Sequence, residues 1–183
     1  MTASDEIMPE EWRTVPGYEG LYEVSSVGQV KSVTKNRFLS WYLYKGYPRV
    51  CLRKNNKGYV VCVHRIMALA FLGDPGNNFV NHINGVRNDN RIENLEYVTN
   101  RENATHGQGA KNKYTGVRLE KKRSLWRSDI IFKGKNIFLG YSRTPEDASV
   151  KYYEAMRELG IKNKYTKLSD KALAAIAAFE EGK

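Results

Sequence analysis

The chain has 183 residues, a formal net charge of +10 and 41 % hydrophobic residues. That length holds one medium domain or two small ones, and three Trp, twelve Tyr and six Phe supply enough apolar surface to exclude a disordered chain. No apolar run approaches the roughly 20 residues that cross a bilayer, and residues 1–11 are acidic without a signal-peptide core, so a soluble cytoplasmic protein with no membrane partner is expected.

Short strands and turns fill the first sixty residues. Glu23-Val24-Ser25, Gln29-Val30-Lys31, Tyr47 to Leu52 and Tyr59 to Val63 are rich in β-branched and aromatic residues. The polar stretch Arg53 to Gly58 reads as the loop of a hairpin. An apolar helical pattern follows from His64 to Leu72, stopped by Gly73 and Pro75. Phe79 to Ile83 then reads as a strand, Asn84 to Asn90 as a loop of Asn, Gly and Asp, and Leu95 to Val98 as a second strand. Thr99-Asn100-Arg101-Glu102 is a capping box, which predicts a helix from Asn100. The unit is ββα. Gly107 to Ala110 reads as a linker. Beyond it come three strands, Thr115 to Glu120, Trp126 to Phe132 and Asn136 to Tyr141, with a tight turn at Lys133-Gly134-Lys135. Thr144-Pro145 opens a helix that runs to about Leu159, and Ser169 caps a last, alanine-rich helix to Glu181. Cys51 and Cys62 are the only cysteines, and neither sits in a C-x-x-C pair. No disulfide scaffold or structural zinc is expected, and both thiols are expected to be reduced and buried.

Charge is uneven along the chain. Residues 111–168 hold 15 Lys+Arg against 6 Asp+Glu, whereas residues 1–110 are nearly balanced at 13 against 11. A basic segment interleaved with aromatic residues favours a polyanionic partner, nucleic acid before membrane.

The three histidines, His64, His82 and His106, all lie in the ββα region and the helix before it. His82 ends a strand and follows Asn81; Asn94 opens the second strand; Asn103 sits on the first helical turn with His106 three residues on. A packed strand and helix can bring Asn81, His82 and Asn103 to one spot. Two amide oxygens together with phosphate oxygens and waters suit a hard cation such as Mg²⁺, and a neutral imidazole can activate water near neutral pH. Asn88 and Asn90 read as turn formers, and Glu93, Glu96 and Glu102 as capping or solvated residues. His64 is open between a structural role and one in substrate binding or in supporting the site. His106 is open between a helix-end residue and a metal-proximal or phosphate contact.

The run Val80-Asn81-His82-Ile83-Asn84-Gly85, with Asn88 to Thr99 and Glu102-Asn103, resembles the HNH motif of phage homing endonucleases, and His64-Arg65 fits the same pattern. Upstream, Trp12, Val15, Gly17 to Ser25 and Gly28 resemble the short module that often precedes this nuclease core. The resemblance covers roughly residues 10–106. It implies a metal-dependent endodeoxyribonuclease that leaves 5′-phosphate and 3′-hydroxyl ends, with one divalent ion, Mg²⁺ or Mn²⁺. His82 would be the general base, Asn81 and Asn103 the metal ligands, and Asn94 the residue that fixes the loop and orients the base. The position of Asn81 is often aspartate in such nucleases. That neutral amide keeps a second reading in view, a DNA-binding transcriptional regulator whose nuclease site has decayed.

Tyr114 to Arg118, Trp126 to Ile130, Ile137 to Tyr141 and Pro145 to Ala148 resemble the Apetala/ethylene-response DNA-binding domain, a three-stranded antiparallel sheet backed by a helix. The resemblance implies double-stranded DNA as partner, with Arg118, Lys122, Trp126 and Arg127 presented on one face. Thr115 stands where that family usually has arginine, so base specificity does not transfer. Trp126 is equally open to packing the sheet on its helix. The expected fold is therefore α+β: an N-terminal β module (1–60), a ββα-metal nuclease core (61–108), a sheet-plus-helix DNA-binding domain (112–160) and a C-terminal helical segment (161–183). Monomer and homodimer both remain open.

Overall fold

The computed structural model describes residues 9–107 and 113–181, so the linker read at Gly107 to Ala110 lies largely outside the described residues. The chain divides into two compact units, Met1–Asn100 and Arg101–Lys183. Among the described residues no helix is long and apolar enough to cross a membrane.

In the first unit, β1 (Trp12–Thr14), β2 (Tyr22–Ser25), β3 (Val30–Ser32) and β4 (Arg37–Phe38) form one antiparallel meander, and β5 (Tyr42–Tyr44), β6 (Tyr47–Lys54) and β7 (Lys57–Cys62) a second. The hairpin read at Arg53 to Gly58 is tighter than the sequence suggests. Asn55 and Asn56 alone make the turn, at φ of 51° and 60°, and the strands run on to Lys54 and Lys57. Two left-handed residues in succession match the twist of a two-residue hairpin, and asparagine tolerates that region. Helix α1 (Val63–Leu72) follows β7 without a loop and packs on both meanders and on the hairpin β8 (Phe79–His82) and β9 (Leu95–Val98).

One apolar cluster joins these pieces. Val15, Val24 and Val30 meet Val50, Leu52, Val63, Ile66, Met67 and Leu95. At roughly 1.5–3 kcal/mol for each fully buried side chain, this shared core is the main source of the unit's stability. The segments read as 1–60 and 61–108 contribute to it together.

Alternation along β6 turns Pro48, Val50 and Leu52 inward. Cys51 lies opposite Val60 and Cys62 opposite Arg49, on the other face. Cys51 is therefore exposed and Cys62 partly so, both as free thiols, which corrects the expectation of buried cysteines.

In the second unit, β10 (Val117–Glu120), β11 (Leu125–Phe132) and β12 (Lys135–Ser142) form an antiparallel sheet in chain order, and α3 (Pro145–Glu158) lies on it with α4 (Asp170–Glu181) against α3. Thr144 caps α3 by accepting from the Asp147 amide. Ile130, Tyr152, Ala155 and Met156 form one core cluster, and Tyr114, Val117 and Ala148 another.

Candidate active site

Asn81 and His82 close β8, paired with Glu96 and Leu95 of β9, and both side chains are buried. The Asn81 amide donates to Glu96 Oε1 at 2.9 Å, which fixes its rotamer. His82 Nε2 lies 3.1 Å from Asn90 Oδ1. An amide oxygen only accepts, so Nε2 carries the proton and Nδ1 keeps its lone pair. Burial, the largest cause, pushes the His82 pKa below the usual imidazole value; Arg87 acts in the same direction, and the Asn90 hydrogen bond and Asp89 oppose it. The imidazole is thus held neutral, in one tautomer.

Asn94 secures the loop between the strands. Its Nδ2 donates to Asp89 O (2.7 Å) and Asn84 Oδ1 (3.0 Å), and its Oδ1 accepts from the Asn84 amide (2.9 Å). The hydrogen bond to the imidazole comes from Asn90 instead, a residue that reads in sequence as a turn former. Asn90 is in turn placed from the N-terminal module. The Ile92 amide donates to Ser26 O at 2.8 Å. Gly28, at φ of 91°, passes so close that a Cβ there would stand 2.9 Å from the Asn90 Cβ. Asp89 is held by Arg91 and Asn84, with the Arg91 hydrogen bond chiefly responsible for a pKa lowered to about 2.

His64, in the first turn of α1, brings its ring centroid 5.2 Å from that of His82. Tyr47 contacts both, at 4.9 Å from His64 and 6.0 Å from His82. The His64 Nδ1 is buried without a hydrogen-bond partner. Burial first, then the charges of His82, Arg65 and Arg49, lowers the His64 pKa to about 3. The folded pKa lies below the unfolded one, so the unfolded chain takes up the proton first. Stability is full above pH 6.5 or so and falls as pH drops toward 3, with a slope approaching about 1.4 kcal/mol per unit. Denaturant unfolding at pH 7 and pH 5 checks this: the unaltered protein is expected to lose about 1–2 kcal/mol more than His64→Phe. Equal losses would contradict it.

Asn103 and His106 lie on α2 (Asn100–Gly107), and the division between units falls after Asn100, so the hairpin belongs to the first unit and these two residues to the second. His106 packs against Tyr165 with the rings tilted, their centroids 4.4 Å apart. Among the described residues no group of three or more His, Cys, Asp or Glu is placed to hold a metal ion. The donors at hand are neutral amide oxygens with the Glu96 carboxylate behind Asn81. That set fits a hard cation that keeps its waters and takes phosphate oxygens from a substrate, and it does not fit a thiolate zinc site.

On the second unit's sheet Arg118 faces Arg127 across the strands, and Arg127 faces Tyr141. Both arginines reach Asp129, at 3.2 and 2.8 Å. Lys122 is exposed in the turn before β11. Trp126 is one residue out of phase with Arg127 and packs against Tyr114, Val117 and Ala148. The strand alternation therefore puts Trp126 on the helix side, away from Arg118 and Arg127, which corrects the expectation of a single face bearing all four.

Comparison with known proteins bears on the first unit above all. Residues 61–105 match the HNH endonuclease family and residues 10–62 the NUMOD4 motif. An uncharacterized HNH endonuclease, L247, of Acanthamoeba polyphaga mimivirus is 43 % identical over 103 residues, covering 53 % of this chain and 26 % of that protein. DNA endonuclease I-HmuI of Bacillus phage SP01 is 38 % identical over 95 residues, covering 51 % and 55 %. These matches span about a quarter to about half the length of the two relatives. A solved structure described as DNA binding and cleavage by the HNH homing endonuclease I-HmuI superposes with a TM-score of 0.52 at 27 % identity, covering 83 % of this chain and 84 % of that one.

Proposed function

We propose that this chain, which carries an HNH endonuclease segment after a NUMOD4 motif, is a site-specific DNA endonuclease of the homing or mobile-element kind. One observation carries the reading: His82 is buried, neutral and held by Asn90 in the tautomer whose Nδ1 can accept a proton, next to the oriented amide of Asn81. The solved I-HmuI structure is one of DNA binding and cleavage, and the same substrate fits the basic second unit here.

In the proposed reaction His82 Nδ1 takes a proton from water as the water oxygen attacks phosphorus. The bond from phosphorus to the 3′ oxygen breaks, and the leaving 3′ oxygen takes a proton from solvent water, leaving a 5′-phosphate and a 3′-hydroxyl. Asn81 and Asn103 would hold one divalent cation, Mg²⁺ or Mn²⁺, which supplies charge stabilisation for the transition state and the leaving oxygen. Asn94 keeps the loop in place, and Asn90 keeps the base oriented. The second unit serves as an Apetala-type reader of double-stranded DNA, with Arg118, Arg127 and Lys122 toward the duplex and Trp126 in the packing beneath.

Supercoiled DNA incubated with protein and Mg²⁺ or Mn²⁺ tests the reading. Nicking that EDTA abolishes supports it; sequence-selective binding with no cutting under either metal would assign the chain instead to DNA-binding regulators. Asn81→Asp combined with Glu96→Gln adds a carboxylate to the cation site and gives it a donor at position 96, where the native amide now donates to a carboxylate. The pair is expected to keep or raise cutting and to lower the metal concentration for half-maximal rate. Loss of cutting in the folded double variant would remove Asn81 from the ligand set. For the reader, Arg118→Ala with Lys122→Ala is expected to reduce the slope of log affinity against log salt by about 2, one for each phosphate that is no longer neutralised. An unchanged slope in a binding titration would place the DNA elsewhere.

A further inference from the structure

Loop residue Arg87 does not belong to the motif that singles out His82, yet its position is fixed. Its guanidinium carbon lies 5.1 Å over the Tyr47 ring, and its Nη1 donates to Lys45 O at 3.1 Å. Tyr47 is the aromatic residue that touches both His64 and His82. The Arg87 side chain also runs close over the Lys45-Gly46 turn, its Cδ 3.3 Å from where a Cβ on Gly46 would stand. The nearest carboxylates in sequence, Asp89 and Glu93, are both paired with Arg91, at 2.9 and 3.2 Å. Arg87 is exposed, and its charge is felt at His82.

A second pair of the same kind stands beside the first. Tyr44 is the cross-strand partner of Tyr47, so the two rings share one face of the sheet. The Arg49 guanidinium lies 4.1 Å over Tyr44, and its buried Nε has no hydrogen-bond partner. Two arginines are thus each laid on a tyrosine, and one of these tyrosines, Tyr47, touches both imidazoles. Flat guanidinium groups held in place by rings present donor pairs outward in the spacing of phosphate oxygens. A long side chain that is already ordered gives up less entropy when it binds.

The geometry points to Arg87 as the residue that holds the scissile phosphate against His82. This inference rests on the endonuclease reading above. Its chemistry is charge and hydrogen bonding to the non-bridging oxygens, which gain negative charge as water adds to phosphorus. Arg87 takes and gives no proton.

The test uses the full chain and a duplex that the unaltered protein cuts, in two forms: all-phosphate, and with one uncharged methylphosphonate at the scissile position. Affinities are measured in EDTA, so that no cutting occurs, for the unaltered protein, Arg87→Ala and Arg87→Lys. Removing the phosphate charge is expected to weaken the unaltered protein at least 5-fold and Arg87→Ala by less than 2-fold, with Arg87→Lys between them, because only a contacting cation senses that one charge. Single-turnover cutting of the all-phosphate duplex by Arg87→Ala is expected to slow by about 10²-fold, as for loss of one transition-state donor. If the methylphosphonate weakens all three proteins equally, Arg87 does not hold that phosphate, and the inference falls while the endonuclease reading stands. Thermal melting of each variant separates this from a turn-supporting role: a lowered melting temperature with equal methylphosphonate effects also overturns the inference. If the unaltered protein cuts no DNA with either metal, both readings fall together.

Discussion

Replacing His82 with alanine is expected to slow single-turnover cutting by about 10²–10⁴-fold, the contribution usual for a positioned general base, with DNA affinity in EDTA changed by less than 3-fold. The imidazole is 5 % exposed and neutral, and its Nε2–H donates to Asn90 Oδ1, so its chemical capacity lies in the Nδ1 lone pair. The neighbouring imidazole cannot replace that lone pair. His64, at 5.2 Å between ring centroids, is itself buried on α1 with its Nδ1 shut in. Quenched-flow cutting beside an equilibrium binding titration separates the two quantities. Equal losses of rate and affinity would make His82 a binding residue; an unchanged rate would remove it from the chemistry.

Asn94→Ala is expected to destabilise the first unit by about 2–4 kcal/mol in denaturant unfolding. Three hydrogen bonds end on that one buried amide, and truncation strands the Asn84 amide and the Asp89 carbonyl, while the Asn84 Oδ1 keeps the Val86 amide as a donor. Each bond contributes about 1 kcal/mol net, and each stranded partner that water cannot reach adds to the loss. Asn94→Asp should do no better. The carboxylate can still accept from Asn84, but it sets a second acceptor against Asp89 O and Asn84 Oδ1, where the native amide donates. A cost below 1 kcal/mol for both variants would show that the loop is held by its backbone turns instead.

Where side chains alternate or helical stops are explicit, the elements are legible from the amino-acid order. Gly73 and Pro75 end α1, and Thr144-Pro145 opens α3, as the residues suggest. β1, β4 and β5 are not legible, because strands of two or three mostly exposed residues carry no periodic signal. Burial is harder than strand identity. Cys51 and Trp126 each sit on a recognised strand, but which face is buried depends on register with a partner strand. The site divides along similar lines. Asn81, His82 and Asn94 are singled out by the resemblance of the hairpin run to the HNH motif. Asn90 is not, since an asparagine beside Asp89 in a polar loop looks like any turn residue until the fold sets its amide against an imidazole eight positions back. Tyr47 and Arg87 are hidden for the same reason: their meeting beside His82 depends on the turn end of the β5–β6 hairpin meeting a loop 40 residues further on.

The proposed chemistry requires Asn81, His82 and Asn103 to serve one cation and one phosphate. A crystal of the DNA complex with Mn²⁺, read by anomalous scattering, tests this. One Mn²⁺ is expected with the side-chain oxygens of Asn81 and Asn103 among its ligands, and the scissile phosphate within reach of His82 Nδ1. An ion bound without either asparagine, or a scissile phosphate remote from His82, would contradict it.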